Sequence, residues 1–177
     1  MRLTKTSIED VCIIEPILHK DARGFLMESF RRSWFPEYEF VQENHSQSAK
    51  GTVRGLHYQL NYPQGKLIRA IKGGVFDVAV DLRRSSETFG RYVSQILSDE
   101  NRKMLWIPPG FAHGFLVLSD QAEVIYQCTE YYSPDDEHTV LWNDPQIGIE
   151  WPSTSEPPVI SEKDRNAATL AECVTFD

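Results

Sequence analysis

The chain has 177 residues, 41% apolar and 25% charged, with a formal net charge of −8; this is a globular composition with enough chain for a real core. The acidic balance excludes a general nucleic-acid binder, which would carry a basic stripe, but leaves room for a local basic pocket. No apolar run approaches the ~20 residues of a membrane span, and Met1-Arg2-Leu3-Thr4-Lys5 leads into no apolar signal segment, so a cytoplasmic protein without a membrane partner is expected.

Taken in chain order, Asp21-Ala22-Arg23-Gly24-Phe25 reads as a turn leading into a strand, and residues 29–34 as one or two helical turns ended by Pro36. Val53-Arg54-Gly55-Leu56-His57-Tyr58-Gln59 reads as a strand, followed by another over 67–71 and a turn at Lys72-Gly73-Gly74. Residues 76–82 alternate with period two, placing Phe76, Val78, Val80 and Leu82 on one face and Asp77 and Asp81 on the other. Further strands are predicted over 92–97, 104–107, 111–118 and 123–128, with Pro108-Pro109-Gly110 as a break. Residues 153–158 form a loop, and 161–171 are the best helix candidate, with Ser161 as its cap. Strands at this spacing predict an antiparallel sandwich or barrel in one domain over 1–177.

The chemistry concentrates in the strand bearing His57 and in Gln64-Gly65-Lys66 after it. Histidine exchanges a proton near neutral pH, a lysine stabilises an oxyanion, and an arginine fork holds a phosphate. Together they suit proton abstraction next to a carbonyl on a phosphorylated substrate. A surface hairpin is the plainer alternative, and a lone strand histidine is more often structural. Strict alternation puts Arg54 and His57 on opposite faces, which a bulge near Gly55, or a ligand reaching around the rim, would resolve. His113, after the Pro-Pro-Gly turn, either points into a cavity or caps a barrel rim. Tyr126 shares a face with Val124 and Cys128 and is either a proton donor or a core phenol. Arg23 meets phosphate or solvent, and Asp164 reads by default as helix surface. The five histidines are widely spaced with no HxH pair, so no metal site is expected. The cysteines, Cys12, Cys128 and Cys173, are odd in number without CxxC spacing, and read as free thiols.

In combination and order these motifs resemble one family, the dTDP-4-dehydrorhamnose 3,5-epimerases. The matching text includes Asp21-Ala22-Arg23-Gly24-Phe25, Gln42-Glu43-Asn44-His45-Ser46, Arg54-Gly55-Leu56-His57-Tyr58-Gln59, Gln64-Gly65-Lys66-Leu67, Trp106-Ile107-Pro108-Pro109-Gly110-Phe111-Ala112-His113-Gly114-Phe115 and Ser161-Glu162-Lys163-Asp164. Departures are small: the family commonly has Asp where Glu43 stands, and the loop at Asn61-Tyr62-Pro63 is slightly short. The resemblance implies a mainly β fold, a cupin-type antiparallel jelly-roll barrel with a few short helices. It also implies epimerisation of a dTDP-linked 4-keto-6-deoxy-sugar at C3 and C5 in dTDP-L-rhamnose biosynthesis, with no cofactor and no metal. By matching motif, His57 resembles the general base, Asp164 its carboxylate partner, Tyr126 the general acid and Lys66 the group at the enolate oxygen. Arg23, Glu28, Gln42, Asn44, Arg54, His113, Glu137 and Lys163 resemble substrate contacts. A homodimer exchanging N-terminal strands is implied, with Arg23 and Glu28 delivered to the neighbouring site. A single-carbon epimerase on a related nucleotide-linked keto-sugar and a non-catalytic nucleotide-sugar-binding cupin are the alternatives.

Overall fold

The computed structural model describes residues 1–177. One sheet runs in the order β1 (Arg2–Lys5), β2 (Cys12–Glu15), β10 (Met104–Ile107), β7 (Lys66–Lys72), β12 (Gln121–Cys128), β5 (Gln42–Ala49). The second runs β13 (Glu137–Thr139), β6 (Thr52–Gln59), β11 (Phe111–Val117), β8 (Gly74–Asp81), β9 (Tyr92–Ser98), with β14 (Val159–Ile160) added parallel to β6. All other ladders are antiparallel, and a separate hairpin of β3 (His19–Asp21) and β4 (Gly24–Leu26) carries the predicted turn at Arg23. The arrangement is the expected cupin-like jelly roll. No helix is long and apolar enough to cross a membrane.

The central strands are buried on both faces, which the sequence shows as long apolar runs. Phe111, Phe115 and Val117 of β11, Val75 and Ala79 of β8, and Ile68 and Ala70 of β7 meet in one cluster. On the opposite face of the second sheet, Val78, Val80, Ala112, Leu56 and Tyr58 pack under Ile147, Leu170 and Cys173 from the C-terminal segment. Over the first sheet, Phe30, Phe35, Tyr38 and Phe40 gather around Trp106. Each buried Leu or Ile in such layers stabilises the fold by about 2–5 kcal/mol relative to Ala. The three cysteines are buried and free.

Two helix expectations need correction. Residues 29–34 supply a single 3₁₀ turn, Arg32–Trp34, because the aromatic side chains of this stretch spread over Trp106 rather than along a helical stripe. Of residues 161–171 only α1 (Glu162–Arg165) is helical. Beyond it the backbone is captured by other partners: Leu141 N donates to Ala168 O at 2.8 Å, and Leu170 N donates to the buried Asp144 carboxylate at 2.9 Å. Tertiary pairing here overrides a weak local preference.

Candidate active site

The face of β8 that bears Asp77 and Asp81 is interior, and both side chains are fully buried. Asp81 is satisfied by Arg83, Ser86 and Thr88 and is structural. Asp77 instead bonds His113, which lines a cavity of about 360 Å³, within the ~300–1,000 Å³ typical of small-molecule sites. A wider, more open hollow of about 780 Å³ lies between the β3–β4 hairpin and Arg69 of β7. It contains no histidine, whereas His57 and His113 both line the smaller cavity.

Three strands of the first sheet and three of the second build that cavity. Gln42, Asn44 and Ser46 alternate along β5, Lys66 opens β7, and Tyr126 stands on β12. From the facing sheet come Arg54 and His57 on β6 and His113 on β11, with Glu137 at the start of β13. The expected bulge is present: His57 pairs with His113 and Arg54 with Phe115, so β6 carries one extra residue between the two pairs. The extra residue reverses the alternation, and Arg54 and His57 both reach the cavity.

His57 Nε2 lies 2.7 Å from Asp164 Oδ1. Asp164 is not helix surface: its side chain turns inward and is buried. Its second oxygen accepts from Gly55 N at 3.2 Å, and Ser161 caps the turn by accepting from Asp164 N at 3.1 Å. Burial opposes ionisation of Asp164, but the His57 hydrogen bond and charge, with the Gly55 amide, outweigh it and hold the carboxyl below its ordinary value. Nε2 is held by the aspartate, which leaves the other ring nitrogen outside this contact. His57 keeps 29% of its side chain exposed and lines the cavity.

His113 belongs to a second histidine–aspartate pair, its Nε2 3.1 and 3.0 Å from the two Asp77 oxygens. Lys66 is buried with its stem in the barrel, and burial lowers its pKa from the ordinary lysine value. Burial raises that of Tyr126, which favours the protonated phenol. Lys163, next to Asp164 on α1, is ion-paired with Glu137, which also accepts from Tyr132 OH at 3.0 Å. Burial works against the Glu137 carboxylate, but Lys163 and His57 prevail and hold it ionised below its ordinary range. Arg54 Nε donates to Ser48 Oγ at 2.8 Å. Arg23 and Glu28 do not line the cavity of this chain: Arg23 binds Asp21 at the exposed hairpin, and Glu28 pairs with Arg31. No group of three or more His, Cys, Asp or Glu side chains is arranged to hold a metal ion. Sequence reasoning missed Ser46, Gln64, Phe115 and Tyr132 in the cavity wall. Phe115 was legible, since it shares the His113 face of β11.

A family model described as dTDP-4-dehydrorhamnose 3,5-epimerase matches residues 5–172. The chain belongs to this family. The dTDP-4-dehydrorhamnose 3,5-epimerase of Pseudomonas aeruginosa is 49% identical over 181 residues, covering 99% of each chain. That of Neisseria gonorrhoeae is 52% identical over 176 residues, which is 97% of this chain but only 53% of the longer relative. Among solved structures, the dTDP-6-deoxy-D-glucose-3,5-epimerase of Legionella pneumophila, in complex with dTDP-4-keto-L-rhamnose, superposes with a TM-score of 0.93. It is 46% identical, and the match covers 96% of this chain and 93% of that one.

Proposed function

We propose that this chain epimerises a dTDP-linked 4-keto-6-deoxy-sugar at C3 and C5, giving dTDP-4-dehydro-L-rhamnose for dTDP-L-rhamnose biosynthesis. The observation that carries the reading is the His57–Asp164 pair at 2.7 Å facing a cavity that Lys66 and Tyr126 enter from the other sheet. The hydrogens on C3 and C5 are both α to the C4 ketone. His57 takes one of them, Asp164 stabilises the imidazolium, and negative charge gathers on O4. Lys66 at O4 lowers that barrier electrostatically. Tyr126 returns a proton to the opposite face; His57 then gives its proton to solvent and Tyr126 takes one back, and the same groups act at the second carbon. Arg54, His113, Gln42, Asn44, Glu137 and Lys163 hold the nucleotide sugar, with Tyr132 offering an aromatic side chain for the base. Binding energy from the nucleotide and diphosphate positions the sugar.

Solvent-deuterium incorporation followed by NMR tests this reading. Label at both C3 and C5 with inverted configuration is expected. Label at one carbon alone would make the protein a single-site epimerase, and no label would make it a binding protein.

A homodimer completes the site in this reading. Ile17, Phe25 and Leu26 of the N-terminal arm are 60%, 51% and 72% exposed, more than an isolated chain has reason to leave in water. Packing this arm on a second copy would bring Arg23 and Glu28 to the neighbouring cavity. Co-expressing inactive Arg23 and His57 variants should then restore activity in mixed dimers, since one intact site survives in each. Verified heterodimers without activity would show that each site is built within one chain.

A further inference from the structure

The β6 bulge closes on glycine from both strands. A Cβ on Gly114 of β11 would stand 2.6 Å from the Arg54 carbonyl oxygen and 2.9 Å from a Leu56 methyl. A Cβ on Gly55 would stand 2.6 Å from Gly114 Cα and 2.7 Å from the His113 carbonyl oxygen, and Gly55 has φ +118°, where L side chains are rarely found. The Arg54 carbonyl and the Gly55 N–H belong to one peptide unit, and that N–H is the second donor to Asp164. So the peptide that Gly114 allows to approach also grips the carboxylate that holds His57. The side chain before this peptide is Arg54, anchored on Ser48.

We propose that Gly114 is a positioning residue for the reaction: its missing side chain lets the Arg54–Gly55 peptide close on β11, which sets Asp164, His57 and Arg54 together. The inference rests on the epimerase reading above. It makes Gly114 distinct from a glycine needed for its own backbone, since its φ is not among the positive values. An alanine there has an allowed backbone, and besides the Leu56 methyl, the end of a side chain, what it must displace is the Arg54–Gly55 backbone that serves the site.

The test is Gly114→Ala beside Gly74→Ala. Gly74 lies on β8 of the same sheet, and its added Cβ meets Ser98 Cβ at 3.5 Å and the Leu97 carbonyl oxygen at 3.8 Å, both ordinary contacts. Wild type and Gly74→Ala should incorporate deuterium into substrate at the same rate. Gly114→Ala should melt cooperatively yet exchange about 10²-fold more slowly, the scale of loss for a displacement of about 1 Å. A folded Gly114→Ala protein with wild-type exchange would overturn the proposal. A second measurement uses proteins whose strands are untouched: the Gly55 amide proton in the wild type and in Asp164→Asn. A charge-assisted hydrogen bond should place that resonance downfield, and loss of the carboxylate should move it upfield. A Gly55 amide indifferent to Asp164→Asn would overturn the proposal whether or not Gly114→Ala folds. Absence of exchange in the wild type would instead refute the epimerase reading, and with it a positioning role in that reaction, while a Gly55 amide that still responds to Asp164→Asn would leave the peptide–carboxylate contact standing.

Discussion

Two histidine–aspartate pairs face one cavity, and they are built in opposite ways. His113 and Asp77 sit on adjacent strands, β11 and β8, in a ladder that is unbroken from Phe111 to Val117. Both are buried, at 8% and 0% side-chain exposure, and the imidazole lies between two carboxylate oxygens. His57 and Asp164 are 107 positions apart, joined only because a one-turn helix folds back on the β6 bulge. There the aspartate is buried at 4% while the histidine keeps 29% exposure. A fully enclosed pair is a fixed wall, suited to holding a substrate. A pair with a buried anchor and a reachable ring is suited to moving a proton. The same two residue types thus separate by accessibility rather than by identity.

The sharpest way to break this distinction is to remove each ring. His57→Asn should abolish deuterium incorporation at both carbons, a loss of about 10⁴, the upper end for a general base. If it retained exchange, the reachable ring would not be the base.

Removing the anchor should cost less. Asp164→Asn keeps the shape but not the charge, and a fall of about 10²–10³ in exchange rate is expected. The pH dependence of stability checks the same contact. Asp164 is held below its ordinary carboxyl value in the folded chain, so its contribution is complete above that value and is lost as pH falls through the folded one. Wild type should therefore lose stability on acidification below about pH 4, and Asp164→Asn should lose less over the same window, by urea titration. Equal losses would mean that Asp164 is not the group being protonated.

How much of this was readable beforehand follows the same division. The strands β7 to β12 declare themselves by apolar runs, by the alternation of β8 and by turn residues. β5 does not: Gln42, Asn44, Ser46 and Ser48 occupy its inward positions because they line or flank the cavity, so its function erases the hydrophobic period that marks a strand. The bulge was inferable only as the solution to a conflict between Arg54 and His57. The inward turn of Asp164 was not readable from Glu162-Lys163-Asp164-Arg165, a mixed-charge segment whose burial depends on Gly55 and His57 more than a hundred positions away. Only the resemblance to a family pointed to it.

Tyr126 tests whether the two sheets divide the reaction between them. Tyr126→Phe keeps the ring in place and removes the proton. Inversion should fall by about 10², while washout of the substrate's own hydrogen should persist, because His57 can return a deuteron to the face it came from. Mass spectrometry of recovered substrate and NMR of its configuration read the two outcomes separately. Unchanged inversion would take the acid role from Tyr126 and leave the first sheet with Lys66 alone.

The smallest effect is expected at the enclosed pair, where the choice of substitution decides what is learned. His113→Ala would leave the Asp77 carboxylate buried without a donor, at a cost of about 1–3 kcal/mol, so a loss of activity would be confounded with a loss of fold. His113→Asn retains an N–H for Asp77 and should melt near the wild-type temperature. What it removes is the imidazole in the cavity wall. If that ring only holds the sugar, KM should rise about tenfold, equivalent to ~1.4 kcal/mol of binding, while kcat stays within a few-fold of wild type. A collapse of kcat with KM unchanged would show that His113 moves protons too, and that burial does not separate the two pairs.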